Sequence, residues 1–365
     1  MFKKLILILA GLSLPLSSYA VNHPDSIKAR MMLEHETFLV WMAHEKGWDK
    51  DVGLNIDLSV TEDSGIDIVS EHKADENKFN ITAIGAIPSI VACNSPDAEI
   101  VAVANEESKA NEIFVRADSE ILKTKGWNED FPEVYGSPET IKGKEIFVKR
   151  MSSGSYLLAK WLDAFYLGFS DVTVKNMNCF NAIETMDTGR GDIMAIWSPE
   201  SSEAESKNYK KVADLAEMGC SVPVNFIVDV NFGAEHPQAV AKFLAVYMRA
   251  VDYQNKKGID TLLPLYKKFI KENSESHSMD AYPDDVLKAD IEKHKLYAYD
   301  EQLALFARGN GRSDIQKLNL EITKTFVLKG VMHFDISERL KHAKYVNNKY
   351  LFLAKKYYEL TKNKD

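Results

Sequence analysis

Two groups of residues in this sequence have the chemistry to hold a small molecule. The first is Ser152-Ser153-Gly154-Ser155, which follows the β-branched and aromatic run Ile146-Phe147-Val148 and precedes Tyr156, Leu157, Leu158, Trp161, Leu162 and Phe165 at helical spacing. A strand that turns through small hydroxyl residues into a helix leaves backbone N–H groups unpaired. Together with the hydroxyls and the positive end of the helix dipole, they suit an anionic or polar ligand group. The same serines serve equally as an ordinary N-cap facing solvent. The second group is acidic. Glu34, Glu36 and Glu106 either bind an amine or other cation by charge-assisted hydrogen bonds or remain solvated loop charges. Trp197, closing the run Ile193–Trp197, is either a stacking wall for a ligand or a core aromatic.

Catalytic and metal chemistry find less support. Glu34, His35 and Glu36 are adjacent, so on an extended chain they point in different directions, and no paired His or Cys spacing backs a metal site. The sequence has no G-x-S-x-G, no H-E-x-x-H and no P-loop, and no pattern places a His to activate Ser153. The residues read as a binding site, with no enzymatic activity, no cofactor and no metal.

Strands alternating with helices must position these groups. Ile27–Leu33 reads as a first strand running into Glu34-His35-Glu36-Thr37. A helix follows with Phe38, Leu39, Met42 and Ala43 on one face. Leu54–Val60, Phe79–Ile84 and Ile100–Ala104 read as further strands, indicating a mostly parallel sheet covered on both faces. Ligands gather where strand C-termini meet helix N-termini in such sheets, so the loops EHET, GAIPS and NEES are expected at one crevice. A second block from Lys144 to about Ala216 carries strands at Val172–Lys175 and Ile193–Trp197. Residues 118–143 read as a loop or insertion. Phe226–Val230 is a strand, His236-Pro237 opens a long amphipathic helix, and the chain beyond Thr261 is helical in pattern.

The first twenty residues read as an export signal: Lys3-Lys4, an apolar core Leu5–Leu16, and Ser18-Tyr19-Ala20 as a cleavage site. Removing the two lysines lowers the formal charge from −9 by two, to −11, which argues against nucleic acid and anionic membrane as partners. Cys93, Cys179 and Cys220 allow one disulfide, with Cys179 and Cys220 the better placed pair, or three buried thiols.

Five segments, in order, resemble the substrate-binding proteins of ABC importers for nitrate, sulfonates and taurine. They are Ile81–Asn94, Val103–Asp118, Arg150–Gly168, Asp187–Glu205 and Val224–Pro237. The resemblance implies an α/β, two-lobed periplasmic-binding-protein fold of type II, with mixed sheets flanked by helices and two crossover strands as the hinge. It implies a signal peptide at 1–20, one lobe of 21–113 and 229–365, and a second of 114–228. The ligand-lining positions it implies are Glu34, Glu36, Phe38, Gly85, Ala86, Glu106, Ser152, Ser153, Gly154, Ser155, Tyr156 and Trp197. It implies a monomer, exported to the periplasm with cleavage after Ala20, that hands a small polar organic ligand, sulfonate- or taurine-like, to an inner-membrane ABC permease, and the acidic residues admit an amine-containing ligand as well. The alternatives on this fold are a pyrimidine-precursor synthase, a dehydratase, or a sensor feeding a membrane receptor. The two carboxylates of the first loop and a longer 119–138 segment depart from the family pattern.

Overall fold

The computed structural model describes residues 25–76, 78–274, 282–309, 311–342 and 344–364. The expected signal peptide and its cleavage site lie outside the described residues.

The chain builds two sheets. Strands β1 (Asp25–Met32), β2 (Leu54–Thr61), β3 (Ile81–Gly85) and β4 (Ala98–Glu106) belong to the first. The chain then crosses into β5 (Asn111–Val115), β6 (Glu145–Val148), β7 (Thr173–Asn176), β8 (Ile193–Trp197) and β9 (Lys210–Asp214), which form the second. It returns through β10 (Pro223–Asp229) and ends its strands with the short β11 (Lys295–Leu296). The strand orders are β11-β4-β10-β3-β1-β2 and β7-β6-β8-β5-β9.

Both sheets are mixed. β1 lies parallel to β2 and β3, and β6 lies parallel to β7 and β8. The returning β10 inserts antiparallel between β3 and β4, and β5 runs antiparallel to β8 and β9. The mostly parallel arrangement read from the alternation is therefore corrected at the strands flanking the crossings. Those strands pair with partners far away in sequence, which local periodicity does not report.

Central strands are largely apolar because both faces are covered. Every residue of β3, β5 and β10 is buried. Helix Pro237–Lys257 packs on helices His35–Glu45 and Lys349–Thr361 over the first sheet, and helix Ser153–Ala164 packs on β5 and β8 of the second. Helix Asp284–Lys293 touches Glu200–Ser206, and helix Asp314–Leu328 touches both Ala86–Ala92 and Ser153–Ala164, so C-terminal helices rest on both halves.

An aromatic cluster anchors the first helix. Phe38 is fully buried, with its ring 4.9 Å from Tyr266, 5.8 Å from Phe269 and 6.3 Å from Trp41. Truncating a buried aromatic removes its transfer energy and leaves a cavity. Phe38→Ala is expected to lower the unfolding free energy by about 3–5 kcal/mol, read by chemical denaturation. A loss under about 1 kcal/mol would mean that Phe38 does not sit in this cluster.

Candidate functional site

The strand ends of both sheets converge on one cleft of about 510 Å³. From the first sheet it takes Glu34 after β1 and Thr61, Glu62, Asp63 and Ser64 after β2. The second sheet contributes Asn178, Phe180 and Asn181 after β7, and Trp197 and Glu200 at the end of β8. A smaller cavity adjoins it, sharing Glu34, Ser64 and Trp197 and adding Gly85, Glu107, Met151 and Ser153.

Local sequence explains how these groups are held. Ser64 caps helix Gly65–Ala74, and Asn178 Oδ1 accepts from Asn181 N at 2.9 Å at the next helix start. Ser152 caps helix Ser153–Ala164: its Oγ accepts from Ser155 N at 3.2 Å and donates to Lys149 O at 2.7 Å. That leaves Ser153 free of capping duty, and its hydroxyl donates to Glu107 Oε1 at 2.7 Å. Gly85 is what lets these parts meet, since a Cβ there would sit 2.9 Å from Ser153 Oγ and 3.3 Å from Glu107 Oε1. Opposite, Lys149 Nζ reaches Asp67 Oδ2 at 2.8 Å, an ion pair joining the loop after β6 to the helix after β2.

The floor of the site is acidic and dry. Glu34 is 5% exposed, Glu36 is fully buried, and Glu107 is 5% exposed. Glu36 accepts from Asn105 Nδ2 at 3.0 Å. Burial, reinforced by Glu36, Glu107 and Glu200, holds the Glu34 carboxyl well above the usual range. Burial pushes Glu36 up to about 7 and Glu107 up to about 8. No lysine or arginine pairs with any of the three among the described residues.

Of the positions expected at the ligand, Glu34, Gly85, Ser153 and Trp197 line the two cavities. Glu36 lies behind Glu34 and reaches the site only through it. The other expectations are corrected. Phe38 belongs to the aromatic cluster, and Ala86 is fully buried at its helix start. Tyr156 turns away to pack on Phe326 and Cys220. Ser152 and Ser155 spend their hydroxyls on the helix start. At Gly154 a Cβ would lie 3.0 Å from Ala195 O, so this glycine seats the helix against β8. Glu106 closes a turn, accepting from Ser108 N and Val222 N at 3.0 Å each.

The reading missed Glu107, one residue on, and the loops after β2 and β7. The rule that ligands gather at strand C-termini covers Thr61–Ser64 and Asn178–Asn181 as well as the three loops chosen. His35 points away from the cleft, 3.0 Å from Gln254 Oε1 and stacked 4.8 Å from His294, so Glu34, His35 and Glu36 do not converge. All three cysteines are free thiols; Cys179 lies on the cleft wall and Cys220 is half-buried beside Tyr156, so the two are not paired.

Known proteins resemble this chain over most of its length. The family described as NMT1/THI5 like matches residues 35–257. A protein of Brachyspira hyodysenteriae (strain ATCC 49526 / WA1), provisionally named an ABC transporter periplasmic binding protein, is 27% identical over 164 residues, 45% of this chain and 47% of that one. The chain thus spans about half the length of that relative. A provisionally named aliphatic sulfonates-binding protein of Bacillus subtilis (strain 168) is 27% identical over 275 residues, 72% of this chain and 77% of that one. In structure, the periplasmic nitrate-binding protein NrtA of Synechocystis PCC 6803 aligns with a TM-score of 0.68 at 11% identity, covering 93% of this chain and 90% of that one. At that identity the likeness shows a shared fold.

The buried carboxyls leave a pH signature. Glu107 titrates near 8 in the folded chain against 4.5 when free, so folding holds its proton. The associated stability is complete below the free value and is lost as pH rises through the folded one. His35 and His294, both lowered by burial to about 3, act in the opposite sense as pH falls below their free value of 6.5. Comparing a variant with the parent isolates the carboxyl. Glu107→Gln is expected to melt close to the parent at about pH 5 and above it at about pH 8.5, in calorimetric scans. A difference that does not grow with pH would show that Glu107 is not buried as described.

Proposed function

This chain belongs to the NMT1/THI5-like family, and from that premise we propose that it is an exported solute-binding protein of an ABC importer. It captures a small polar organic molecule in the cleft and carries it to an inner-membrane permease. The observation that supports this most is that one cleft takes its walls from both sheets: Glu34, Thr61 and Ser64 on one side, Asn178, Phe180 and Trp197 on the other. A ligand touching both walls favours the state in which they are close, and binding then shifts the population toward closure.

The lobes we propose are residues 21–113 with 229–365, and 114–228. The sheet membership of β4 and β5 on either side of the outgoing crossing supports that division. The crossings lie side by side, with Glu107 N donating to Val222 O at 3.1 Å and Glu106 capping Val222, which suits a two-stranded hinge. Residues 1–20 act as an export signal cleaved after Ala20, placing the mature monomer in the periplasm. This reading includes no chemistry and no nucleic acid. The Ser153 hydroxyl donates its hydrogen bond to a carboxyl, and no histidine among the described residues lines either cavity.

A thermal-shift screen over taurine, alkanesulfonates, amines, amino acids and pyrimidines is expected to find a stabilising solute. That solute should shrink the radius of gyration in solution scattering. A binder that leaves the radius constant would remove the hinge. Trp197→Ala should weaken the same solute at least tenfold, about 1.4 kcal/mol, without loss of fold. Unchanged affinity would take Trp197 out of the contact.

A further inference from the structure

The charge of the cleft is at odds with an anionic cargo. Glu34, Glu62, Asp63 and Glu200 line it, and among the described residues no lysine or arginine does. Two cations near its rim are already paired with carboxylates. Arg30 binds Glu71 at 2.8 Å and reaches Asp63 only at 3.6 Å, while Lys149 is held by Asp67. The helix starts at Ser64 and Asn178 bring partial positive charge, but side chains already serve both, Asp67 accepting from Ser64 N at 3.2 Å and Asn178 from Asn181 N at 2.9 Å. The carboxyls of Glu62, Asp63 and Glu200 outweigh two half-charges. A sulfonate placed here meets carboxyl-bearing walls, and no lysine or arginine among the described residues lines the cleft to receive it.

Glu34 is the independent observation. It is a buried carboxyl on the wall of both cavities. Among the described residues it receives no hydrogen bond from any lysine, arginine or amide, and its partner is a second carboxyl, Glu36. A buried carboxyl that shares its hydrogen bond only with another carboxyl ionises at a cost unless a cation reaches it, and an ammonium supplies both charge and hydrogen bonds. Trp197 and Phe180 on the facing wall supply aromatic surface, which attracts cations and covers hydrocarbon.

We propose that the cleft takes an organic cation, a primary or secondary ammonium on a small hydrocarbon frame, with the ammonium at Glu34 and Glu200 and the frame against Trp197 and Phe180. The proposal rests on the solute-binding reading above and names the chemical class of its cargo. It also sets a proton balance. The Glu34–Glu36 pair holds a proton in the empty protein; an arriving ammonium keeps its own protons, forms N–H bonds to Glu34, and the carboxyl proton leaves to solvent.

Matched probes test the class. Phenethylamine and 2-phenylethanesulfonate share one frame and differ only in the charged group, as do propylamine and propanesulfonate. Titration calorimetry is expected to show the amines binding at least tenfold tighter than their sulfonates. The amine heats should vary with buffer ionisation enthalpy in the sense of proton release. Glu34→Gln should weaken the amines at least tenfold and abolish that buffer dependence, and Glu200→Gln should weaken them with the dependence retained. Tighter sulfonate binding, or no binding by any amine, overturns the assignment. Scattering separates the two levels. Contraction with a sulfonate alone keeps the receptor and discards the cation, whereas a bound probe of either class without contraction discards the receptor's hinge.

Discussion

Three carboxyls that pair with no cation among the described residues, buried where the chain passes from one sheet to the other, are the constraint on which the rest of this structure turns. Glu34 follows β1, Glu107 follows β4, and Glu36 stands behind them on the first helix. Burying an ionised carboxylate unpaired is too costly for a fold to bear, so the groups are kept neutral or supplied with donors. The fold does both. Asn105 on β4 donates to Glu36, and Ser153 from the second sheet's helix donates to Glu107. The latter bond ties the halves together directly beneath the cleft, and it exists only because Gly85 leaves space for it.

The two halves are therefore not free to swing as independent bodies. Besides the paired crossings, Asp290 on a C-terminal helix accepts from Tyr266 at 2.6 Å and from Ser202, beyond β8, at 3.4 Å. Lys293 binds Glu112 on β5 at 2.7 Å and Glu205 at 2.8 Å. Farther along, Lys329 pairs with Asp163. These contacts lie between the C-terminal helices and the second half, while the cleft opens elsewhere. Closure has to pivot around them or slide across them, which favours a small rotation about the crossings over a wide hinge.

Much of this was legible in the sequence, and the failures have physical causes. Alternation and helical spacing delimit β8 at Ile193–Trp197 to the residue and place the long helix after His236. Parallel strands with loops at one end explain why EHET, GAIPS and the turn after β4 meet. What periodicity cannot supply is the side of an extended chain on which a given residue falls after a crossing. Glu106 and Glu107 are adjacent, so one faces the turn and the other the cavity. Irregular pairing between β10 and β4 at Val224/Asn225 and Phe226/Ile227 hides which is which. Phe38 fails for another reason. Every residue from His35 to Ala43 is buried, so the helix has no polar stripe to separate its cleft face from its core face. The serine cluster was read correctly as a helix start, but capping consumes Ser152 and Ser155 and leaves one hydroxyl for the site.

The same physics separates what relatedness conveys from what it does not. Gly85, Gly154 and the apolar strands answer to packing, where a Cβ or a methylene too many is felt at once, so distant relatives keep the fold. Glu62, Asp63 and Glu200 sit on a strand-end loop and a helix's first turn, positions that tolerate exchange without disturbing the core. A sheet scaffold shared with other proteins can thus present an acidic wall of its own. The cargo is decided by the charges on those loops, and the scaffold decides only that whatever binds must touch both walls.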